Sequence, residues 1–275
     1  MSTEQPPSKK QRTESPPYEL IYWPGIPGRG EPIRLCFEAT STPYTDVSNS
    51  TSAGAKSVLN LIDPKNLGDS TNPPPLCPPI LKHGDLTISQ LPNILLYLAP
   101  KLGLDGSGAG EREGGAGNKN AIYYVNALAL TALDGLSNEV HDTHHPVSTS
   151  SYYESQKPEA QRKATDWIDK RMPKFISYFE RVLQGPASKG GKYLYGGALT
   201  YADLVLFHTL DGISYAFPKA VQQNREYGEF PRVWELYERV GELEGVKSYL
   251  ESERRLKYSQ GIYRHYPELD LQDGQ

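Results

Sequence analysis

The chain has 275 residues, of which 37% are apolar and 23% are charged, and its formal net charge at pH 7 is −4. This length predicts one large domain or two ordinary domains with polar tails. The small negative charge argues against a nucleic-acid binder, since such proteins carry a dominant basic field. No apolar run approaches a membrane span, and the N-terminus lacks the apolar core of a signal peptide. We therefore expect a soluble cytoplasmic protein with neither a nucleic-acid nor a membrane partner.

The N-terminal tail, residues 1–16, is polar and proline-rich, so it cannot offset the entropy of ordering and is predicted to be disordered. Within it Lys9, Lys10 and Arg12 form a short basic run. Such a run either solvates the tail or serves as a nuclear-import signal.

Two cysteines are too few for a disulfide framework, and neither belongs to a Cys-x-x-Cys motif. Cys36 falls within a predicted helix, where a small core residue is expected. Cys77 lies beside a predicted hairpin. Thioredoxin-like redox chemistry is therefore not expected.

Predicted strands and helices alternate over residues 17–103. Residues 18–23 are rich in β-forming side chains and predict the first strand. After a Pro/Gly loop, Glu31 and Pro32 are typical of the first turn of a helix. The pattern continues with a second short strand, a weak helix and an irregular Pro/Asn stretch: residues 42–47, 52–62 and 63–75.

Residues 77–90 predict a β-hairpin that leads into a helix. Ile80 and Leu81 are an apolar strand, residues 82–85 turn the chain, and residues 86–88 alternate with period two. Pro79 precedes the first strand, and a cis X-Pro bond there would turn backbone polar groups outward. With a helix over residues 91–98, the order is that of a small thioredoxin-like α/β sheet.

The remainder of the chain lacks strand alternation. Glycine dominates residues 104–119, which predicts a linker or insertion between domains. Residues 120–255 are predicted to form an all-helical domain. Apolar spacing indicates two long helices and two shorter ones, at residues 121–140, 152–183, 231–243 and 246–254, with a kink at Pro173.

A sharper signal starts another helix. Thr200 and Asp203 have the spacing of a capping box, in which each side chain bonds the other's backbone N–H, and Leu199 can pack on Leu204. In the C-terminal extension, residues 256–275, Tyr263, His265 and Tyr266 are expected to pack over the helical domain before the chain frays from Asp270. The capping box and the packing of the extension are predictions about the fold and assign no function.

The order of these elements over residues 18–255 resembles that of cytosolic glutathione transferases. The matching motifs are Pro79-Ile80-Leu81, Gly84, Ser89-Gln90 and the Thr200/Asp203 capping box, and residues 21–31 resemble the fungal-type branch of that family. The resemblance implies an N-terminal thioredoxin-like α/β domain plus an all-α C-terminal domain. It also implies glutathione as co-substrate, a small hydrophobic electrophile as second substrate, and a homodimer.

The resemblance to the Tyr-type branches implies that Tyr22 donates a hydrogen bond to the glutathione thiolate, with Arg29 as the neighbouring cation. A donor and a cation both favour the charged form of a thiol. A strand tyrosine can equally pack its ring in the core, and this chain has 19 tyrosines. Tyr18 faces the same side of the strand by period-two counting and is the alternative, near the substrate pocket.

Four residues would hold glutathione by this resemblance: Pro78, Pro79, Gln90 and Leu91. Pro79 would offer neighbouring backbone to an extended peptide, and Gln90 at a helix start would take the γ-glutamyl end. Leu91 stands where the family has serine, and Pro78 has no N–H to donate. Both departures fall on ligand-binding groups.

A histidine-rich segment, His141-Asp142-Thr143-His144-His145, lacks the spacing of a metal site, and Pro146 ends the helix. The resemblance places Asp142 and His144 on the wall of the second-substrate pocket, as acid or base. Capping of the helix end is the alternative role.

Three functions remain open from the sequence. The first is a glutathione transferase that activates the thiol for attack on a hydrophobic electrophile. The second, motivated by Leu91 and Pro78, is a non-catalytic binding or regulatory protein of the same fold. The third is a glutathione-dependent isomerase or lyase of a biosynthetic pathway.

Overall fold

The computed structural model describes residues 16–109, 118–228 and 230–272. Its N-terminal part contains a four-stranded sheet of β1 (Tyr18–Ile21), β2 (Tyr44–Asp46), β3 (Ile80–His83) and β4 (Leu86–Ser89). The spatial order is β2-β1-β3-β4. Strand β1 is parallel to β2 and antiparallel to β3, and β3 and β4 form the predicted hairpin. The expected thioredoxin-like α/β domain is thereby confirmed.

Four helices accompany this sheet: α1 (Glu31–Ala39), α2 (Val47–Ser50), α3 (Lys56–Leu61) and α4 (Leu91–Leu102). Helix α1 starts with Glu31 and has Pro32 in its first turn, as predicted. The acidic side chain complements the positive end of the helix dipole, and the first turn does not need the N–H that proline lacks. Helix α4 ends at Gly103, whose φ of 69° is the left-handed conformation that glycine adopts readily.

The C-terminal part is helical, as predicted. It contains α5 (Ala121–Thr131), α6 (Asn138–His144), α7 (Lys157–Asp166), α8 (Met172–Gln184), α9 (Tyr201–Ala216), α10 (Pro218–Tyr227), α11 (Pro231–Gly241) and α12 (Glu244–Leu250). Almost every side chain of α9 is buried, and α1, α5 and α11 pack against this helix. Helix α9 is thus the centre of the core shared by both parts. Among the described residues no helix is long and apolar enough to cross a membrane.

Two π-helical segments interrupt the long helices expected from the sequence. Ala132–Ser137 joins α5 to α6, and Trp167–Arg171 joins α7 to α8, directly before Pro173. The first segment packs closely on α8, where a Cβ at Gly135 would collide with the ring of Phe175. A widened turn of this kind is set by tertiary packing, so apolar spacing alone does not reveal it.

The capping box at the start of α9 is present as predicted. The Asp203 carboxylate is fully buried and accepts hydrogen bonds from the N–H of Leu194, at 2.7 Å, and from the N–H and hydroxyl of Thr200, at 2.8 and 2.7 Å. Burial raises the pKa of Asp203 to about 6, against the opposing effect of these donors. Asp203 therefore anchors both its own helix and the preceding loop.

The described part of the C-terminal extension packs on the helical part, as expected. Tyr263 is buried, and Tyr266 stacks on Tyr153 at 3.9 Å between ring centroids. The expected fraying from Asp270 is wrong at that residue. Asp270 is buried and accepts the N–H groups of Lys219 and Ala220 at the start of α10, a helix that the sequence reading missed. The Asp270 carboxylate is thus held at the N-terminus of α10, where the helix dipole favours a negative charge.

Two other predictions concern residues outside the described ranges. These are the basic run of Lys9, Lys10 and Arg12 in the N-terminal tail, and residues 110–117 of the expected linker. The beginning of that linker belongs to the core, since Leu104 is buried and its carbonyl accepts the N–H of Tyr201.

Replacing Asp203 by alanine should destabilise the fold by about 3 kcal/mol, because three buried donors lose their acceptor. The free energy of unfolding in urea measures this. Asp166→Ala is the matched control, since nearly half of the Asp166 side chain is exposed and its ion pair is with exposed Lys170. Equal unfolding midpoints for the two variants would contradict the anchoring role of Asp203.

Candidate functional site

A cleft of about 460 Å³ opens between the α/β part and the helical part. The loop after β1, the residues before β3 and the first turn of α4 form one side. The π segment before α6 and the start of α6 form the other side. The lining residues are Tyr22, Trp23, Arg29, Cys77, Pro78, Pro79, Gln90, Leu91, Pro92, Leu133, Asp134 and Asn138.

Tyr22 follows β1 directly and lines the cleft with only 6% of its surface exposed. Its ring covers Gly28 and Gly30, where any Cβ would collide with it. The hydroxyl oxygen accepts the N–H of Arg29 at 2.9 Å. Burial raises the pKa of Tyr22, while the Arg29 N–H and the charges of Arg29 and Arg34 oppose the rise. The hydroxyl is therefore protonated at neutral pH.

The proton of that hydroxyl has no acceptor in the described part of the chain, because the one hydrogen bond of Tyr22 is accepted from Arg29. A group bound in the cleft can therefore receive it. A protonated tyrosine that already accepts a backbone N–H is a polarised donor, suited to stabilising a developing negative charge.

Arg29 joins the two sides of the cleft. Its Nη2 donates to the Asn138 side-chain oxygen at 2.8 Å, across more than a hundred residues of sequence. The guanidinium thus supplies a fixed positive charge at the cleft, held between the loop after β1 and α6.

The edge of the cleft next to β3 is backbone. The Pro78–Pro79 peptide bond is cis, as predicted. Gln90 is exposed with φ of 75°, and α4 begins immediately after it at Leu91, with Pro92 in the first turn. The side chain of Leu91 is buried, so this residue offers the cleft its backbone and no hydroxyl. The first N–H groups of α4 have no partners within the helix and favour a negative group at this end.

The loop that carries Arg29 rests on buried Arg34. Its Nη1 donates to the Pro27 carbonyl at 3.1 Å and to Glu31 at 3.0 Å, and its Nε donates to Asp46 at 2.7 Å. A planar guanidinium with several fixed acceptors is well suited to this role. It locks the loop against α1 and β2.

The six residues predicted to bind or activate glutathione lie together in the cleft: Tyr22, Arg29, Pro78, Pro79, Gln90 and Leu91. The three assigned to the second-substrate pocket do not line it. Tyr18 is at the other end of β1, about 13 Å along the strand, where its ring stacks on His83. Period-two counting gives the face of a strand and says nothing of distance along it.

His144 is buried, and its Nε2 lies 2.9 Å from the Ile262 carbonyl, so it supports the C-terminal extension. Burial lowers the pKa of His144 to about 3. Asp142 leaves half of its side chain exposed and also lies outside the cleft lining. The rings of His141, His144 and His145 pack 4.7 to 5.1 Å apart. Across the described residues, no group of three acidic, His or Cys side chains is arranged to hold a metal ion.

Sequence reasoning missed Trp23, Asp134 and Asn138 as cleft residues. The sequence held a signal for two of these residues. Asp134 and Asn138 are polar and four positions apart, which places them on one face of a helix. Asp134 belongs to the π segment, and Asn138 follows that segment directly.

A model of the glutathione S-transferase C-terminal domain family matches residues 141–253. Glutathione S-transferase of Plasmodium yoelii yoelii is 24% identical over 231 residues, covering 84% of this chain and 92% of that protein. Glutathione S-transferase of Plasmodium falciparum (isolate 3D7) is 25% identical over 242 residues, covering 87% and 98%.

Solved structures share the fold. The structure of Onchocerca volvulus Pi-class glutathione S-transferase has a TM-score of 0.61 at 22% identity, covering 85% of this chain and 92% of that one. Prostaglandin synthase D of Nilaparvata lugens has a TM-score of 0.57 at 20% identity, covering 86% and 98%. The expected fungal-type branch stays a prediction.

The two cysteines should differ sharply in reactivity. Cys77 is exposed in the cleft, whereas Cys36 is buried and its pKa is raised by that burial. An aromatic disulfide reagent should modify one thiol quickly in the native protein and the second only after unfolding. Cys77→Ser should abolish the fast phase. Two fast thiols, or a fast phase that survives this substitution, would contradict the described cleft.

Proposed function

This chain belongs to the glutathione S-transferase superfamily, and we propose that it is an enzyme that activates the glutathione thiol for attack on a small hydrophobic electrophile. One observation carries the proposal: Tyr22 lines the cleft, and its protonated hydroxyl donates to no partner among the described residues. The other cleft residues supply a cation and a backbone edge.

Tyr22 acts on the sulfur. A free thiol with a pKa of about 8.5 is mostly protonated at neutral pH, and the thiolate is the nucleophile. A hydrogen bond from the Tyr22 hydroxyl to the sulfur, together with the nearby Arg29 charge, favours the thiolate and releases the proton to solvent. The thiolate then forms a bond to the electrophilic carbon while the leaving group departs with its electron pair.

The peptide part of glutathione fits the remaining edge. The backbone around Pro79 would pair with the extended tripeptide, in the manner of an added strand. The N-terminus of α4 beside Gln90 would take the γ-glutamyl carboxylate, since its N–H groups and dipole favour negative charge. Because Pro78 lacks an N–H and Leu91 lacks a hydroxyl, this α4 terminus carries more of the recognition than a serine-containing site would need.

The second substrate would enter from the helical side. Leu133 and the Trp23 ring give the cleft apolar surface, while Asp134 and Asn138 add polar groups. A small hydrophobic electrophile that enters beside Trp23 would lie next to the sulfur held by Tyr22. Much of the rate would come from holding thiolate and electrophile together in the right orientation.

We also propose a homodimer. Large apolar side chains are exposed in both parts of the chain, at Leu67, Leu76, Tyr123 and Tyr124, and a second copy would remove such surface from water. Sedimentation equilibrium should give twice the chain mass of 30.6 kDa. A single species at the chain mass would exclude the dimer.

Tyr22→Phe should lower kcat/KM with an aryl-halide acceptor about 10- to 100-fold at pH 6.5, since the sulfur loses its hydrogen-bond donor. The pH dependence of this loss follows from the pKa of the bound thiol, which rises toward its free value in the variant. The deficit should therefore shrink as the pH approaches 9.

Tyr18→Phe is the matched control, because Tyr18 lies on the same strand outside the cleft and its hydroxyl makes no hydrogen bond within the described residues. It should leave the rate unchanged. A Tyr22 variant as active as the Tyr18 variant would remove Tyr22 from the mechanism.

Calorimetry with glutathione, together with a transfer assay, separates the three functions that the sequence left open. Glutathione binding together with transfer to an electrophile supports the proposal. Binding without transfer to any aryl halide or epoxide would favour a glutathione-dependent isomerase or lyase. The absence of heat at millimolar glutathione would favour a non-catalytic protein of the same fold, the role motivated by Leu91 and Pro78.

A further inference from the structure

One peptide group beneath the cleft is held from both ends. The N–H that Arg29 donates to the Tyr22 hydroxyl, at 2.9 Å, belongs to the same peptide plane as the carbonyl of Gly28. That carbonyl lies 3.1 Å from Nε2 of His208, a residue of α9 with 4% of its surface exposed. Because C=O and N–H point in opposite directions in a trans peptide, the His208 contact fixes where the N–H points.

The hydrogen-bonding roles of His208 follow from its partners. The Gly28 carbonyl can only accept, so Nε2 must carry a hydrogen. Burial keeps the imidazole neutral and lowers the pKa of His208 to about 3, with Arg255 and Arg34 acting in the same direction and Asp211 opposing them. In a neutral ring with hydrogen on Nε2, Nδ1 is an acceptor.

The C-terminal extension packs against the other side of His208. The Tyr258 hydroxyl donates to the Asp211 carboxylate at 2.8 Å, its oxygen accepts from Arg255 at 3.3 Å, and it lies 3.2 Å from Nδ1 of His208. Its ring stacks on Tyr215 with 5.1 Å between centroids. A polar chain therefore runs from the extension through α9 to the peptide below Tyr22.

Gly28 makes this support necessary. Its φ is 44°, in the left-handed region that glycine enters at little cost, and the ring of Tyr22 leaves no room for a Cβ there. A peptide that follows such a glycine can rotate easily. Rotation would turn the carbonyl toward the Tyr22 hydroxyl and remove the N–H that polarises it.

We propose that His208 is a positioning residue, which holds the Gly28–Arg29 peptide with its N–H toward Tyr22. The inference rests on the proposed function only for the catalytic role of Tyr22. His208 thereby supports the thiol-activating site from α9 without lining the cleft itself.

The test uses the full chain with 3-fluorotyrosine incorporated in place of Tyr22, whose ¹⁹F shift reports ionisation of that hydroxyl without any substrate. Since the Arg29 N–H lowers the pKa of Tyr22, its loss raises that pKa. His208→Leu should raise the pKa by about one unit, the size expected for one hydrogen bond to the charged form. His208→Gln keeps an N–H near the position of Nε2 and should restore most of the difference.

A second comparison decides the question even where His208→Leu does not fold. His208→Asn carries the same amide as His208→Gln on a side chain one methylene shorter, so its amide cannot reach the Gly28 carbonyl from α9. The Tyr22 pKa should therefore be about half a unit higher in the His208→Asn protein than in the His208→Gln protein.

Equal Tyr22 pKa values in the His208→Asn and His208→Gln proteins would overturn the proposal, as would a folded His208→Leu protein with an unshifted pKa. The kinetic readout is separate. In an active enzyme, His208→Leu should lower kcat/KM about tenfold at pH 6.5 and less at pH 9, with glutathione affinity little changed. A shifted Tyr22 pKa in a protein without transferase activity would sustain the positioning role and reject the proposed function.

Discussion

The buried carboxylate of Glu31 is the contact on which the relation between the two parts of the chain depends. It is fully buried at the start of α1 and pairs with Arg34 at 3.0 Å and with Arg255 at 2.8 Å, and it accepts the Tyr249 hydroxyl at 3.0 Å. Charges out of water are costly unless their geometry and hydrogen bonds are complete. Here one carboxylate satisfies groups from α1, from α12 and from the segment after α12.

The network extends from Glu31 to the cleft. Arg34 also pairs with Asp46 on β2 and donates to the Pro27 carbonyl, so the loop below Tyr22 cannot shift without breaking a buried hydrogen bond. On the other side, Arg255 pairs with Asp211 on α9 at 2.8 Å. The α/β part, the central helix and the C-terminal extension therefore meet in one set of charges, and Tyr22 lies above it.

The sequence was sufficient for the elements whose signals are local. The hairpin, the first turn of α1 and the capping box of Asp203 each depend on residues within a few positions, and each is found. The structure also brings the predicted glutathione-binding residues together around Tyr22. The choice of Tyr22 came from the family resemblance, which implies a tyrosine donor at the end of the first strand.

The parts that sequence reasoning missed depend on contacts between distant residues. The π segment at Ala132–Ser137 follows from packing on α8, and the order of Asp270 follows from the N-terminus of α10. His144 was expected in a pocket wall because a histidine at a helix end can serve either catalysis or packing. Only its contact with the Ile262 carbonyl, 118 residues away, shows that it packs.

The central claim is that a glutathione sulfur bound in the cleft is ionised by the hydroxyl of Tyr22. The most direct measurement is the ultraviolet absorbance of the bound thiolate as a function of pH, with glutathione saturating the protein. A bound thiol pKa at least one unit below the free value of about 8.5 is the predicted result. A bound thiol that titrates at its free value would show that this cleft holds the tripeptide without activating it, and would contradict the claim.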